Sequence, residues 1–218
     1  MKVVEIFDSI DGEGIRTGQA VTFIRLAGCN LRCGYCDTKY AISPDSCEFE
    51  EMTIPEILER VHFKYVTLTG GEPLIHKDVK DLIFALTDKG IEVNIETNGA
   101  VDIRPFRMEN MFFTVDYKLP SSGEEDKMLW ENFKNLTKND VVKFVVGNDD
   151  DVNKMREVTK ELTAFYGDNL PHLFAGAVFS DYSPEQLVAD ILENKELHNV
   201  RVQLQIHKYI WDPNKRGV

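Results

Sequence analysis

Three cysteines lie close together in the segment AGCNLRCGYCDTKYA, residues 27–41, which we name the cysteine loop. Cys29, Cys33 and Cys36 follow a C-x3-C-x2-C spacing. Structural zinc takes four protein ligands, usually as two pairs, and a catalytic zinc held by three thiolates of one loop would be unusual. A cubane iron–sulfur cluster bound by three cysteines keeps one iron open to a chelating small molecule. The spacing therefore favours such a cluster.

A fourth cysteine, Cys47, follows in the acidic segment ISPDSCEFEE. Neither its spacing nor its neighbours suggest a ligand loop, so we interpret it as a free thiol. The alternative is that it supplies a fourth ligand to the same metal centre. Disulfide frameworks are typical of short secreted chains, so the cysteines of this chain favour a metal or redox site instead.

The chain has 218 residues, 43% of them hydrophobic, and a formal net charge of −12. Length and composition predict one globular domain over residues 1–218. The acidic charge argues against nucleic acid or an anionic membrane as a partner and favours a small-molecule substrate. No apolar run approaches the ~20 residues that span a bilayer, and the N-terminus lacks the apolar core of a signal peptide. We therefore expect a cytoplasmic protein.

Apolar strand-like segments alternate with helical ones along the chain. Strands are expected at 21–26, 65–69, 91–95, 111–115, 141–146, 173–179 and 200–206. Helices are expected at 53–61, 77–89, 184–192 and from the GNDDD segment to about residue 166. This alternation indicates parallel β-α units. The number of strands is too small for a closed eight-stranded barrel, so the fold class is α/β, a partial, trimmed (β/α)6-type barrel with mostly parallel strands.

Polar motifs follow four successive strands of this expected sheet. The cysteine loop comes after the first, TGGEP after the second, ETNG after the third and DYK after the fourth. Ligands of parallel α/β folds bind at the carboxyl ends of the strands, so these motifs should converge on one rim. Alone, TGGEP would be interpreted as a tight turn.

The cysteine spacing, with Tyr35 directly before the last cysteine, resembles the signature of radical S-adenosylmethionine (SAM) enzymes. The GGEP segment resembles the part of that superfamily that meets the amino group of SAM. The resemblance implies a radical SAM fold, a 4Fe–4S cluster on Cys29, Cys33 and Cys36, and SAM at the open iron. Cleavage of SAM then yields a radical that abstracts hydrogen from the substrate. The implied cofactor-binding residues are Tyr35, Asp37, Gly71, Glu72, Asn98, Asp116, Tyr117 and Lys118, with residues 177–180 as weaker candidates.

Both ends of the chain carry a more specific resemblance. The segment EIFDSIDGEGIRTGQAVTFIRLAGCNLRCGYCDT and the tail QLQIHKYIWDPNKRGV, with its Q-x-H-K pattern, resemble the 7-carboxy-7-deazaguanine synthase family. This implies a carbon–nitrogen lyase of queuosine and 7-deazapurine biosynthesis, which converts 6-carboxy-5,6,7,8-tetrahydropterin into 7-carboxy-7-deazaguanine and ammonia. It also implies Mg²⁺ held through Thr38, a homodimer, a flavodoxin- or ferredoxin-type electron donor and a C-terminal segment, about 200–218, that closes over the substrate.

The same resemblance implies a pterin site built from nine residues: Ile10, Asp11, Gly12, Glu13, Arg25, Thr69, Glu96, His207 and Pro213. An arginine at a strand end can pair with the substrate carboxylate through two hydrogen bonds. Glu13 offers two oxygens to the amino and ring N–H groups of a pterin. His207, after an alternating strand, could donate to the substrate, with a core or surface histidine as the alternative.

Two segments depart from the family pattern. Asp11 stands where many members have glutamine, so any substrate hydrogen bond there changes polarity. The sequence VDYK stands where Ser-Pro-Lys is frequent, which affects the contacts of Asp116, Tyr117 and Lys118.

A glycyl-radical activase would use the same cluster on a protein substrate. A zinc-stabilised binding module would hold its metal with the three clustered cysteines and a recruited ligand such as Cys47.

Overall fold

The structure is a computed structural model that describes residues 1–43, 48–179, 181–213 and 215–218. Within these ranges one sheet contains nine strands. They are β1 (Lys2–Ile10), β2 (Ala20–Leu26), β3 (Glu50–Glu51), β4 (Tyr65–Gly70), β5 (Glu92–Thr97), β6 (Met111–Tyr117), β7 (Val141–Val146), β8 (His172–Ala177) and β9 (Val200–Val202).

The strand order is β3-β1-β2-β4-β5-β6-β7-β8-β9. From β2 to β9 all neighbouring strands are parallel, whereas β1 is antiparallel to both β2 and β3. The sheet formed by the described residues has two edges, β3 and β9, and is therefore open. The predicted α/β class, with a partial barrel of mostly parallel strands, is confirmed.

Six helices accompany the sheet in the described part of the chain: α1 (Ile54–Glu59), α2 (Val79–Asp88), α3 (Trp130–Lys134), α4 (Asp149–Tyr166), α5 (Pro184–Glu193) and α6 (His207–Ile210). The connection from β5 to β6 contains only a short 3-10 turn, Arg104–Phe106, instead of an α-helix. The partial barrel is therefore open and also lacks an α-helix at this connection. None of the described helices is long and apolar enough to cross a membrane.

Side chains at their N-termini fix where the longer helices begin. Glu56 Oε2 accepts hydrogen bonds from the backbone nitrogen and the hydroxyl of Thr53, both at 2.7 Å, in a capping box before α1. Asn148 accepts from the backbone of α4, and Ser183 accepts from the backbone of α5. These are polar residues of the type expected at N-caps, which is why the helix starts were predictable.

The N-terminal strand was not predicted. Its residues KVVEIFDSI do not alternate cleanly, and most of them are only partly buried. Pairing with β2 stabilises the strand, and the rings of Phe7 and Phe23 stack across the pair with centroids 5.0 Å apart.

At the other end of the sheet, β9 stops earlier than expected. Downstream of it, the backbone nitrogen of Ile206 donates to Gly12 O at 3.2 Å, not to a neighbouring strand of the sheet. The expected strand over residues 200–206 was therefore too long, because its second half joins the N-terminal part of the chain.

The two faces of the sheet differ in polarity. In β6, Phe113 and Val115 point into the hydrophobic core beneath the helices, whereas Thr114 and Asp116 line a cavity on the opposite face. Side chains of a strand alternate between faces, so one strand contributes to both environments. The core fixes the strands, and their polar residues then face the cavity.

The buried carboxylate of Asp140 joins the starts of two parallel strands, and removing it should weaken the fold. It is 0% exposed and accepts from both terminal nitrogens of Arg107 at 2.8 Å and from Phe113 N at 2.8 Å. We expect Asp140→Ala to lower the free energy of unfolding by about 3–5 kcal/mol, because a partly buried cation and a buried N–H lose their partner. Urea denaturation measures this change. The matched control is Asp102→Ala, which breaks an exposed pair with Arg104 and should leave stability nearly unchanged; equal effects of the two variants would contradict the assignment.

Candidate active site

A cavity of about 490 Å³ lies at the carboxyl ends of the parallel strands. Most of the residues predicted from the sequence line it: Asp11, Gly12, Glu13, Arg25, Cys29, Cys33, Tyr35, Cys36, Asp37, Thr38, Thr69, Gly71, Glu96, Asn98, Asp116, Lys118 and His207. The strand-end motifs therefore converge on one site, as their places in the sequence predicted.

The three clustered cysteines carry free thiols that are partly exposed to this cavity. Burial raises the pKa of each thiol above its ordinary value. Cys29 Sγ already accepts from Leu31 N at 3.4 Å and lies 3.7 Å from Asn98 Nδ2. Soft thiolates with N–H donors to sulfur suit an iron–sulfur cluster, so this set of ligands fits the implied group.

Hydrogen bonds fix the cysteine loop on two sides. On one side, Cys29 N donates to Ile42 O at 3.0 Å. On the other side, Gly34 N donates to Ser122 O at 3.0 Å. The residue before Ser122 is held in turn by Asp151, whose Oδ1 accepts from Ser121 N at 2.9 Å. The loop is thus positioned by the segment after β6 and by the start of α4, a support that no sequence motif indicated.

Gly71 allows the cysteine loop to lie directly against the end of β4. A Cβ atom at this position would overlap the backbone of Gly28 and come within 2.8 Å of Cys29 Cβ. The neighbouring Glu72 N donates to Gly28 O at 2.8 Å. The glycine is therefore required by a close approach of two backbones, as expected where a loop packs on a strand end.

Glu72 does not line the cavity, although the sequence resemblance implied that it contacts the cofactor. Its carboxylate is 0% exposed and accepts from Leu74 N at 3.0 Å, Thr97 Oγ1 at 2.8 Å and Asn98 N at 2.7 Å. Burial raises its pKa to about 7. The side chain is directed away from the cavity and holds Asn98, which does line it. A direct cofactor contact of the Glu72 side chain does not fit this position.

Tyr117 also lies away from the cavity, because alternation along β6 directs it into the core. Its ring packs against Phe133 and Phe144, with centroid distances of 5.2 Å and 6.1 Å. Asp116 and Lys118, its neighbours in sequence, face the cavity instead. A cofactor contact of the Tyr117 side chain does not fit this position, because neighbouring residues of a strand face opposite sides. A cofactor role for Tyr117 stays a prediction.

The remaining predicted residues have different outcomes. Ile10, at the end of β1, and the exposed Pro213 do not contribute to the lining of the cavity. Ala177, the first of the weaker cofactor candidates, does line it, whereas Ser180 lies outside the described residues. Cys47 also lies outside the described residues, so its assignment as a free thiol stays a prediction.

Two polar atoms beside the cysteines are buried without a hydrogen-bond partner among the described residues. They are the hydroxyl of Tyr35 and Oδ1 of Asp116. Oδ2 of Asp116 pairs with Lys118 Nζ at 2.8 Å, and although burial favours the neutral acid, the lysine lowers the Asp116 pKa overall. Unpartnered buried polar groups cost free energy, which a polar ligand at this place would offset. They fit a cofactor beside the cysteines.

On the opposite side of the cavity, Asp11 is already engaged by the protein. Its Oδ2 accepts from Arg16 Nε at 2.8 Å and its Oδ1 from Thr67 Oγ1 at 2.7 Å. Burial raises the pKa of Asp11, and the Arg16 guanidinium opposes that rise. Arg16 also reaches Val66 O at 3.0 Å. The main role of Asp11 in this structure is therefore to attach the DGEG segment to β4.

Glu13, Glu96 and Arg25 complete this side of the cavity. Glu13 forms an ion pair with Lys143, and Glu96 Oε2 accepts from Thr69 Oγ1 at 2.8 Å. Arg25 Nε donates to Glu5 Oε1 at 2.7 Å, and within the described ranges its two terminal nitrogens form no hydrogen bond. Burial raises the pKa of Glu96. The arrangement offers carboxylate acceptors and free guanidinium donors to one ligand.

Lys143 was missed by the sequence analysis, as were other cavity residues such as Thr114 and Gln205. Lys143 did leave a signal, because it is a single charged residue within the apolar strand VVKFVV. A lysine in such a strand is expected to have a buried partner. Gln205 belongs to a segment that was expected to be a strand, and its position could not be inferred.

The C-terminal part of the chain packs on the DGEG segment. Gln203 Oε1 accepts from Gly14 N at 3.0 Å, and a Cβ atom on Gly12 would overlap the ring of His207. His207 begins α6, whereas it was expected to follow a strand. Burial lowers its pKa, which favours a neutral ring at neutral pH. Further on, the guanidinium of Arg216 lies 3.8 Å from the ring centroid of Tyr40.

The Mg²⁺ site implied for Thr38 stays a prediction. Thr38 lines the cavity, and its hydroxyl donates to Asp37 Oδ1 at 2.9 Å. Burial alone would raise the pKa of Asp37, but this hydrogen bond and the nearby cations lower it overall. Among the described residues, no group of three or more His, Cys, Asp or Glu side chains is arranged to hold a metal ion.

Comparison with known proteins supports this site. Residues 23–112 match the Radical SAM superfamily. The 7-carboxy-7-deazaguanine synthase of Clostridium acetobutylicum is 46% identical over 223 aligned residues, which cover 100% of this chain and 99% of the relative. The chain belongs to the 7-carboxy-7-deazaguanine synthase family. Its cofactors are accordingly a 4Fe–4S cluster and SAM, as the sequence resemblance implied.

Two further comparisons agree with this membership. The 7-carboxy-7-deazaguanine synthase of Leptospira interrogans is 36% identical over 245 aligned residues and covers 99% of this chain and 97% of the relative. The crystal structure of QueE from Escherichia coli has a TM-score of 0.72 at 25% identity and covers 92% of each chain. Full-length agreement of this kind favours the synthase family over the glycyl-radical activase and the zinc-stabilised module.

The close approach at Gly71 yields a test of how the cysteine loop is held. We expect Gly71→Ala to bind less iron and sulfide after anaerobic reconstitution and to be destabilised by about 1–3 kcal/mol, because the added methyl group displaces the loop. Iron analysis, cluster absorbance and denaturation measure these changes. The matched control is Gly34→Ala in the loop itself, where a Cβ meets only Ser121 O at 3.8 Å; full cluster loading of both variants would count against this account.

Proposed function

We propose that the cavity converts 6-carboxy-5,6,7,8-tetrahydropterin into 7-carboxy-7-deazaguanine and ammonia, as a carbon–nitrogen lyase of queuosine and 7-deazapurine biosynthesis. The observation that carries this proposal is the 46% identity to a 7-carboxy-7-deazaguanine synthase over 100% of this chain. The cavity adds a chemical reason, because thiols, carboxylates and a guanidinium line the same space. A radical formed near the thiols would therefore meet a polar substrate.

The cofactor side of the site is assigned from the residues around the cysteine loop. Cys29, Cys33 and Cys36 hold the cluster. Asp116 Oδ1 and the hydroxyl of Tyr35 have no hydrogen-bond partner within the described residues, and here they form hydrogen bonds with the polar cofactor. When bound, the cluster and SAM supply an organic radical that removes a hydrogen atom from the substrate. The protein's contribution is to orient the two ligands and to exclude water from the space between them.

The substrate side is assigned from charge and hydrogen bonding. The terminal nitrogens of Arg25 can form a two-pronged pair with the pterin carboxylate. The Glu13 carboxylate accepts the amino and ring N–H groups at the other end of the ring. His207, which favours its neutral form, can donate one hydrogen bond and accept another. Thr38 is proposed to bind Mg²⁺ beside the substrate carboxylate, with Asp37 as its ionised neighbour.

Several wider features are part of the same proposal. Residues 1–218 act as one domain, and the segment of about 200–218 closes over the substrate, which the contacts of Gln203 and His207 with the DGEG segment support. The enzyme is proposed to be a cytoplasmic homodimer that receives electrons from a flavodoxin- or ferredoxin-type donor. Three free thiols in one loop suit a reducing compartment.

The decisive experiment is turnover by the reconstituted protein. After anaerobic loading with iron and sulfide, the chain is incubated with reductant, SAM, Mg²⁺ and the carboxytetrahydropterin, and the products are analysed by mass spectrometry. We expect 7-carboxy-7-deazaguanine and ammonia. Formation of 5′-deoxyadenosine without the deazaguanine would show that the substrate is wrong, and a protein that loads no cluster would refute the assignment of the cysteines.

The ligand set of the cluster is tested by single substitutions. Cys29→Ala, Cys33→Ala or Cys36→Ala should abolish cluster absorbance and product formation, because each removes one of three thiolates. Cys47→Ala is the matched control and should load the cluster like the unaltered chain. Loss of the cluster in the Cys47 variant would make Cys47 a fourth ligand.

Arg25→Ala tests the carboxylate contact. We expect the dissociation constant of the pterin to rise by about 10- to 150-fold, because a charge-assisted hydrogen bond contributes about 1.5–3 kcal/mol. Cleavage of SAM in the absence of substrate should continue, since Arg25 is assigned to the substrate and not to the cofactor in the proposed arrangement. Anaerobic binding titration measures the affinity, with Arg104→Ala at an exposed ion pair as the control. An unchanged affinity in Arg25→Ala would exclude the contact.

A further inference from the structure

We propose that Lys143 is a positioning residue that holds the carboxylate of Glu13 in place in the cavity, where Glu13 selects substrates with two adjacent N–H donors. The inference rests on the proposed function, because it concerns how the same cavity recognises its pterin. Neither the strand-end motifs nor the ends of the chain include Lys143. Its role follows from its contacts in the folded structure.

Lys143 lies at the centre of β7 and points into the cavity. Its ammonium group forms an ion pair with the carboxylate of Glu13, and each side chain is only 15% exposed. The sheet register places Lys143 opposite Asp116 on β6 and Phe174 on β8. The lysine therefore bridges the rim of the sheet and the DGEG segment, which enters the site from β1.

Three other charged groups of the cavity have ion-pair partners of their own. Asp116 pairs with Lys118, Asp11 with Arg16, and Arg25 with Glu5. Within the described residues Glu13 has no ion pair except that with Lys143. The lysine is thus the cation that holds the Glu13 carboxylate in its position.

A second carboxylate makes this dependence stronger. Glu96 lies on the same face of the sheet and is hydrogen-bonded by Thr69 at 2.8 Å. Lys143 also lowers the pKa of Glu96, whereas Glu13 raises it, so the two acids repel one another across the lysine. Without the ammonium group, the two carboxylates would repel one another, and the ion pair that holds Glu13 in place would be lost.

Displacement of Glu13 has a specific chemical consequence. The 2-amino-4-oxo edge of a pterin presents an amino group and a neighbouring ring N–H, which are both donors. A carboxylate held opposite this edge accepts from both, whereas a displaced one leaves at least one donor without its acceptor. Lys143 should therefore control affinity and discrimination at this edge, while the reaction at the carboxylated end of the ring proceeds once the substrate is bound.

The test uses Lys143→Met in the reconstituted holoenzyme, with the carboxytetrahydropterin and an analogue that lacks the 2-amino group as probes. We expect the dissociation constant and KM of the pterin to rise about 30- to 100-fold, since charge-assisted contacts are lost, with kcat within about threefold. Selectivity for the pterin over the analogue should fall by at least about tenfold. The hydrogen bond from the 2-amino group to the Glu13 carboxylate, which only the pterin can form, no longer distinguishes the two compounds. A residue that merely supports the fold would not change this ratio.

Three further variants make the result decisive. Lys143→Arg keeps the charge and should restore the pterin affinity to within about fivefold of the unaltered enzyme. Lys143→Gln keeps a hydrogen-bond donor without the charge and replaces Lys143→Met if the latter does not fold; it should lose affinity and selectivity. Lys154→Met removes a surface ion pair with Glu157 and should change neither.

Two results would overturn the inference: an unchanged pterin affinity and selectivity in the uncharged variants, or a fall in kcat alone. A different result would bear on the proposed function itself. If the unaltered holoenzyme cleaves SAM but neither binds nor converts the pterin, the substrate assignment fails before Lys143 is tested. The two failures are distinguishable because the first is seen only in the variants.

Discussion

The buried carboxylate of Glu72 is the interaction on which the cofactor side of the structure depends. One acid joins the turn after β4 to the end of β5, because it accepts from Leu74 N, Thr97 Oγ1 and Asn98 N. Asn98 then bonds to Asn30 Oδ1 at 2.8 Å in the cysteine loop. Burial raises the pKa of Glu72 to about 7, so three donors are needed to hold the charged form. This network therefore connects the cysteine loop to the ends of β4 and β5.

The same requirement, that buried polar groups have partners, organises the substrate side through ion pairs instead of backbone contacts. Asp11, Glu13 and Asp116 each face a different cation. The partners of Asp11 and Asp116 are near in sequence, whereas Lys143 on β7 lies 130 residues after Glu13 and is brought to it by the fold. Besides these pairs, the free nitrogens of Arg25 and the unpartnered atoms beside the cysteines are available to a ligand.

Sequence reasoning predicted the sheet and most of the cavity because both depend on local signals. Strand periodicity and N-caps located the elements, and the motifs after the strands located the rim. It failed where an outcome depends on alternation or on distant contacts. Tyr117 belongs to the DYK motif, but its side chain faces the core. Glu72 belongs to TGGEP, but it holds Asn98 and does not line the cavity. Lys143 belongs to none of the motifs. Side chains of a strand alternate between its two faces. Applying this period of two to VDYK would have directed Tyr117 into the core, and applying it to VVKFVV would have identified Lys143 as a cavity residue.

Asp11 shows how a departure from a family pattern can be compensated within the chain. An aspartate in place of the usual glutamine puts a negative charge in a buried segment, which is costly without a partner. Arg16, five residues later, supplies that partner, and its guanidinium also reaches Thr67 Oγ1 at 2.7 Å and lies 5.3 Å from the ring centroid of Phe112. The charge is neutralised inside the protein, so it need not change which substrate the cavity accepts. In the proposed arrangement the amino edge of the pterin is recognised by Glu13, two residues further on, whose carboxylate pairs directly with Lys143.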